Sequence, residues 1–383
     1  MESITRENGA ARLKLEQVIA AGKASGAATL ERIRANVPHD DIVRAGAFRF
    51  VPRPDWTVED RTGKPIVSGY NVQMQYGQNG SAFTLHKHAF GQLAERAGVP
   101  AAYLGELATS TESWQQQLAL RVLNDHMHEG RGNDRMLVRS VRGEVRGLLS
   151  DKYRRLDSFS LISAFAEECE KLGAAPAGDA RHLAGYVSDT RVALKVILPT
   201  IFEPVPGEAL AVGVEWFNSD YGAGKYGLRS FLLRLVCLNG AVREDDFSQV
   251  HLGGRLTDEI QYSDRTLRLD TAATESATRD HVRALLNPKR VEQSIAAIRS
   301  ANEKGIDWAH ARTRLGKALL KGELEAVKNA FEGPDCVNLP PAQTEWRLSN
   351  AVSWIAGATE DADRRLELER VAGSFFAPEK QAA

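Results

Sequence analysis

Apolar residues recur at helical spacing near the start of the chain. Between residues 8 and 35, Leu15, Val18 and Ile19 lie among charged positions until Gly22 interrupts the pattern. This spacing predicts an N-terminal helical arm.

Short strand-like runs separated by turn residues then alternate with helical spacing. Strands are predicted at 48–51, 72–76, 136–141, 144–149, 191–198 and 209–217, and helices at 88–97, 113–128 and 156–172, with a further helix beginning at Pro100. Antiparallel strands with packed helices are expected from this order.

The last third of the chain carries helical patterns. Asn287 followed by Pro288 predicts a helix start, because asparagine caps helices and proline loses nothing at the first helical position. Further helices are predicted at 308–331 and 342–376. The fold class is therefore α+β, mainly an antiparallel sheet with packed helices, followed by an all-α C-terminal region. The predicted divisions are a helical arm at 1–45, a core domain at 46–262 and a helical region at 263–383.

Composition places the chain among ordinary globular proteins. Its 383 residues include 49 Lys and Arg against 50 Asp and Glu, so a nucleic-acid site would have to be a local patch. The three cysteines, Cys169, Cys237 and Cys336, form no CxxC pair, which favours a reducing cytoplasm. The sequence shows no signal-peptide core and no apolar run of roughly 18 residues, so a cytoplasmic protein without a membrane partner is expected.

A glycine-rich segment at 222–227 matches the G-x-G-x-x-G pattern of dinucleotide-binding turns. That function requires the third glycine, Gly227, to open a helix, and the residues after it fit either a helix face or a strand face. A phosphate-binding P-loop fits worse, because Tyr226 stands where serine or threonine should meet magnesium. The favoured interpretation is that the glycines of this segment shape a turn.

Two histidine pairs and one acidic run could hold metals. His86 with His88, and His126 with His128, could share one side of a strand, although both pairs fall at predicted helix boundaries. For the second pair, interaction with the carbonyl end of its helix is favoured. The acidic run 244–246 is favoured as a solvated turn. The sequence therefore nominates no catalytic residue, no metal ligand and no cofactor.

Cations accumulate between residues 121 and 155. Nine Lys and Arg residues stand there against five Asp and Glu, in a chain with a net charge of −1. The candidate nucleic-acid-binding residues of this segment are Arg135, Arg139, Arg142, Arg146, Lys152, Arg154 and Arg155.

The Arg142-Gly143 pair suggests the tip of a hairpin. A two-residue tip would place Arg139 opposite Arg146, an unfavourable like-charge pair unless something negative lies between them. A phosphate would satisfy both guanidinium groups. An internal Glu or Asp would serve equally, or the register could differ by one residue.

A second cationic series follows the glycine-rich segment. Its candidate residues are Lys225, Tyr226, Arg229 and Arg234, continued by Arg243. Cations interleaved with aromatic rings are typical of grooves that hold single strands. The alternative is structural, since Phe231 suits a core and Tyr226 could close a turn.

Three separated motifs resemble a known family. They are Asn218-Ser219-Asp220-x-Gly222, Arg234-Leu235-Val236-Cys237-Leu238-Asn239-Gly240 and Gly147-Leu148-Leu149-Ser150-Asp151-Lys152-Tyr153. Together with 92–104 they resemble the phage- and plasmid-borne proteins grouped as domain of unknown function 932, over residues 85–301. The chain departs from the family pattern at Leu238, where threonine is usual, and at Ala241, where methionine is commoner.

The resemblance implies a mobile-element setting, in which proteins commonly handle DNA, but it implies no activity for particular residues. It also favours a strand at 228–238 ending in an Asn-Gly turn.

The favoured hypothesis is a nucleic-acid-binding accessory protein that binds or anneals single-stranded DNA through a local cationic groove, with homo-oligomer formation left open. One alternative is an enzyme, either a nucleotide-processing or a metal-dependent nucleic-acid enzyme. The other is a protein-interaction scaffold built on the helical C-terminal region.

Overall fold

The protein has an α+β fold, as the sequence predicts. A computed structural model describes residues 2–56, 69–77, 79–178, 185–235, 239–242, 248–249, 262–333 and 339–376.

The strands of the described residues form two sheets. They are β1 (His39–Arg44), β2 (Arg49–Val51), β3 (Gln73–Tyr76), β4 (Ser81–Leu85), β5 (Arg135–Val141), β6 (Glu144–Ser150), β7 (Ala175–Pro176), β8 (Gly185–Val187), β9 (Val192–Ile197), β10 (Leu210–Asn218), β11 (Tyr226–Arg234), β12 (Asn239–Val242) and β13 (Ser248–Gln249). The first sheet has the order β1-β5-β6-β4-β3-β2, and only its β4–β6 pair is parallel. The second sheet is antiparallel, with the order β12-β11-β10-β9-β7; β13 also pairs with β11, and β8 with β9.

Helices surround both sheets. They are α1 (Glu2–Ala35), α2 (Lys87–Ala97), α3 (Ala101–Thr109), α4 (Ser113–Asp125), α5 (Ser158–Lys171), α6 (Asp264–Leu285), α7 (Pro288–Glu303), α8 (Trp308–Leu315), α9 (Lys321–Glu332), α10 (Glu345–Ala358) and α11 (Ala362–Gly373).

One face of the first sheet packs against helices α2 to α4. Met136, Val138 and Leu148 point to this face and share a core with Phe90 and Leu123. Because side chains alternate along a strand, the residues between them point to the opposite face. That opposite face carries Arg135 and Arg139, and it lies toward the rest of the molecule.

The second sheet is covered by helices from several parts of the chain. Trp216 and Leu228 pack with Phe165 of α5 and Val282 of α6, whereas Leu210 belongs to a core shared with the C-terminal helices. Contacts therefore cross the predicted boundary near residue 263. Strand β1 likewise lies within the first sheet, so pairing crosses the predicted boundary near residue 45.

Helix α1 confirms the predicted N-terminal helix and continues through Gly22. A Cβ atom at Gly22 would lie 2.2 Å from the Pro176 carbonyl oxygen, so glycine allows the helix to touch the β7 backbone. Leu15 and Val18 then pack against Ile197 and Phe231 of the second sheet.

The prediction of two continuous C-terminal helices, at 308–331 and 342–376, is wrong. Each is two helices, and the breaks occur at residues 316–320 and 359–361. Asp361 caps α11 by accepting the Arg364 amide at 2.7 Å, which stabilises a new helix start there. Asn287 does cap α7, by accepting the Lys289 amide at 3.0 Å.

Candidate functional site

Arg139 is buried and is held by internal acids. Its Nε donates to Asp40 at 2.7 Å, one terminal nitrogen donates to Asp157 at 2.5 Å, and the other donates to the Asp220 carbonyl at 2.7 Å. Although burial opposes it, the charges of Asp157 and Asp40 raise the pKa of the guanidinium. Of the alternatives that the sequence leaves open, two are present: internal acids hold Arg139, and the register of the two strands differs by one residue.

The predicted placement of Arg139 opposite Arg146 is wrong. Arg139 pairs with Gly147 and Ser140 pairs with Val145, so Arg146 is the extra residue of a β-bulge. Gly147 lies against Tyr221, where a Cβ atom would come within 3.3 Å of the Tyr221 Cα and Cβ. The bulge turns Arg146 away from Arg139 and toward Glu144, whose carboxylate accepts from its Nε at 2.9 Å.

The second cationic series does not form one exposed groove. Tyr226 is fully buried, with its hydroxyl against Thr278 of α6. Arg229 is 6% exposed and donates to Glu215 at 2.6 Å, and Arg234 is 4% exposed and donates to Glu208. Lys225 is exposed, and Arg243 lies outside the described residues.

The remaining cations of the first series lie at several places. Arg142 is at the hairpin tip, with a φ of 51°, and donates to the Ala35 carbonyl at 3.3 Å. Arg154 donates through two nitrogens to Asp270 of α6, at 2.6 and 2.7 Å. Arg154 thus joins α6 to the segment that follows β6 of the first sheet.

One predicted residue, Arg135, lies beside a cation that the sequence patterns did not indicate, and two more predicted cations follow strand β6. Arg135 pairs directly with Arg44 across β5 and β1, and both side chains point to the same face of the first sheet. Lys152 follows Asp151, which lies 3.6 Å from Arg135, and Arg155 approaches Asp40 of β1 at 3.5 Å. We name Arg44, Arg135, Lys152 and Arg155 the cationic patch.

Arg44 escaped the sequence analysis because β1 itself was not predicted. The run His39-Asp40-Asp41-Ile42-Val43-Arg44 is rich in charges and lies in the segment assigned to the helical arm. The β-branched pair Ile42 and Val43 is the signal that could have indicated a strand.

The segment from Asn218 to Gly222 joins the two sheets. The Tyr221 carbonyl accepts from His88 of α2 at 2.9 Å, and the Asn218 amide donates to the Leu156 carbonyl at 2.7 Å. The Asp220 carboxylate accepts hydrogen bonds from the backbone amide and the hydroxyl of Ser158, at 2.9 and 2.8 Å, at the start of α5. This motif, which carries the family resemblance, has a structural role at the junction.

A small, partly open pocket lies beside this junction. Arg146 and Arg191 line it together with Asp220 and Tyr221, and Ile33 from α1 contributes apolar surface. Burial raises the pKa of the Asp220 carboxyl to about 6, against the opposing effect of Arg139. The pocket thus combines two guanidinium groups with a carboxyl group that titrates well above its usual range.

The raised pKa of Asp220 gives an expected pH dependence of stability. The folded state holds this proton more tightly than the unfolded chain, whose aspartate pKa is about 3.9. As the pH rises from about 4 to about 6, the wild type should therefore lose about 1–3 kcal/mol of unfolding free energy relative to Asp220→Asn. Above that window the difference between the two proteins should be constant.

Urea unfolding of both proteins across this pH series measures the difference. Comparison with Asp220→Asn cancels the titration of other carboxylates, provided that their surroundings are unchanged. A pH-independent difference between the two proteins would contradict a raised pKa at Asp220.

The fold also decides the dinucleotide-binding pattern and the contacts of His128. Gly227 lies in strand β11 and opens no helix, so the dinucleotide-binding pattern lacks the helix it requires. His128 donates to the Phe48 carbonyl at 2.6 Å, rather than to the end of its own helix. The acidic run 244–246 lies outside the described residues.

In the described part of the chain, no three His, Cys, Asp or Glu side chains are grouped as a metal ion would require. None of the helices in this part combines the length and apolar character needed to cross a bilayer.

Comparisons of the sequence with protein-family models and with curated proteins, and of the fold with solved structures, give no match. The resemblance to domain of unknown function 932 stays a prediction.

Proposed function

We propose that this protein binds single-stranded nucleic acid through the cationic patch. The observation that carries the proposal is the placement of Arg44 directly opposite Arg135 on adjacent strands. Like charges in this position repel each other and stabilise a sheet only when an anion lies between or above them. Phosphate groups bind planar guanidinium groups well.

The charge balance of the patch favours an anionic polymer. Arg44 and Arg135 lie on one face of the sheet, and Arg135 retains 41% exposure of its side chain despite its contact with Asp151. That contact is 3.6 Å long, which exceeds a good charge-assisted hydrogen bond, so phosphate oxygens can compete with the Asp151 carboxylate.

Two exposed apolar side chains support a single-stranded ligand. Ile42 is 44% exposed on the same face of β1 as Arg44, and Phe159 is 42% exposed in the first turn of α5, four residues after Arg155. An aromatic ring beside a cationic surface offers a stacking platform for an unpaired base. The predicted resemblance to phage and plasmid proteins favours the same class of ligand.

Binding of a labelled single-stranded oligonucleotide, measured by fluorescence anisotropy over a salt series, tests the proposal. If all four cations neutralise phosphates, the slope of log K against log salt should be about −3 for a single strand. The Arg44→Ala/Arg135→Ala variant should weaken binding and make that slope shallower by about 1.4.

The matched control is Lys317→Ala/Lys321→Ala, which removes two exposed cations from the C-terminal helical region. This variant should bind like the wild type. Absence of binding by the wild type at low salt would contradict the proposal. Equal losses in the two double variants would show that net charge, rather than the patch, controls affinity.

A further inference from the structure

The pocket beside the sheet junction has features that the cationic patch does not explain. Arg146 enters it from the bulge of β6, and Arg191 enters it from the residue just before β9. Arg44 and Arg135 lie at the opposite end of β5 from the hairpin tip, and neither of them lines the pocket.

The outer nitrogens of both arginines have weak acidic partners. Arg146 lies 3.6 Å from Asp189, which is 64% exposed, and Arg191 lies 3.4 Å from Asp363, which is 39% exposed. The Asp363 oxygen in that contact has no hydrogen-bond partner. These distances exceed those of good charge-assisted hydrogen bonds, and such exposed pairs contribute little.

The inner nitrogens, by contrast, are fixed. The Arg191 Nε donates to the Ala223 carbonyl at 3.0 Å, and the Arg146 Nε donates to Glu144 at 2.9 Å. Each guanidinium group is thus held at one edge. At its other edge Arg146 has long contacts with the Asp189 carbonyl and carboxylate, at 3.5 and 3.6 Å, and Arg191 has one with Asp363, so a ligand oxygen can replace them. Two groups positioned in this way are preorganised for one anion between them.

The rest of the lining bears on the class of the ligand. Apolar side chains of Ile33, Val187 and Val192 lie beside the polar groups. Asp220 is the carboxyl group in the lining, and its negative charge opposes an anion. A phosphoryl group, with several oxygens and up to two charges, can engage both guanidinium groups at once.

We propose that this pocket binds a single phosphoryl group between Arg146 and Arg191. Free phosphate and the terminal phosphate of a nucleotide share the required chemistry.

Isothermal titration of inorganic phosphate into the full-length protein tests the site. Arg191→Gln should weaken binding by about tenfold to a hundredfold, because it removes one charged hydrogen-bonding partner. Asp220→Asn should tighten binding several-fold, since it removes the opposing charge while its carbonyl oxygen can still accept from Ser158. Opposite effects of two substitutions in one pocket cannot arise from a general loss of folding.

The Lys317→Ala/Lys321→Ala and Arg44→Ala/Arg135→Ala variants should bind phosphate like the wild type. Failure of the patch variant to bind nucleic acid, with phosphate binding intact, would separate the two proposals. Titration of a nucleoside 5′-monophosphate and of the matching nucleoside identifies the source of the phosphoryl group. Tighter binding of the monophosphate than of free phosphate indicates a nucleotide, and equal binding indicates phosphate itself.

Two outcomes would overturn the phosphoryl site. One is the absence of saturable phosphate binding by the wild type. The other is binding that is unchanged in Arg191→Gln, which would place the ligand elsewhere.

Discussion

Replacing Arg139 with methionine should lower the free energy of unfolding by about 3 kcal/mol, because it removes a buried cation that holds two partly exposed carboxylates and a backbone carbonyl. The side chain is 1% exposed and contacts Asp40, Asp157 and the Asp220 carbonyl. The loss should lie at the low end for a buried ion pair. Asp157 is 40% exposed, and Asp40 also lies 3.5 Å from Arg155.

Arg142→Met is the matched control for this substitution. Arg142 lies three residues away at the exposed hairpin tip, and its positive φ is equally costly for arginine and methionine. Its unfolding free energy should remain within about 0.5 kcal/mol of the wild type. Urea unfolding followed by circular dichroism measures both variants. Stability unchanged in Arg139→Met, with a loss of nucleic-acid affinity, would instead assign Arg139 to ligand binding.

The Arg234→Met substitution should cost about 3–5 kcal/mol, the full range for breaking a buried pair. Arg234 donates through two nitrogens to both oxygens of Glu208, each at 2.5 Å. The Glu208 side chain is 9% exposed, so water cannot replace the guanidinium. The indole of Trp346 also donates to Glu208, at 3.3 Å, and thereby links this pair to α10.

A double substitution separates the cost of the unpaired acid from the value of the pair. Arg234→Met/Glu208→Gln removes both charges, and replacing a buried ion pair by neutral groups is often close to neutral. The double variant should therefore recover most of the stability lost by Arg234→Met, in a double-mutant cycle measured by urea unfolding. A double variant as unstable as the single one would show that packing, rather than an unpaired charge, causes the loss.

In this fold, cations at neighbouring sequence positions have different roles. Arg135 and Arg139 point to the same face of β5, yet one is 41% exposed and the other is buried. The difference arises because Asp157 and the Asp220 loop cover only one end of that strand. Sequence spacing gives the face of a strand but not what covers it.

Local patterns predicted much of the fold. The hairpin around Arg142 and Gly143 and the capping of α7 by Asn287 depend on neighbouring residues, and both are present. The strand after Gly227 is also present, but only the family resemblance predicted it, and the Asn-Gly turn predicted at its end is wrong because Asn239 and Gly240 lie in β12. The missed β1 shows the limit of this approach. Its charged residues are acceptable in a strand because Asp40 pairs with Arg139, a residue 99 positions later.

The sequence by itself determined the α+β class, most element positions and a local excess of cations, since these depend on periodicity, turn chemistry and composition. The tertiary structure alone decided which cations are neutralised and which remain at a surface. Acids distant in sequence, such as Asp40, Glu208 and Glu215, reach their arginines only through strand pairing and loop packing. Whether a cation adds net charge to the surface depends on these acidic partners. Folding brings each acid to its arginine, and spacing along the chain does not reveal which residues will meet.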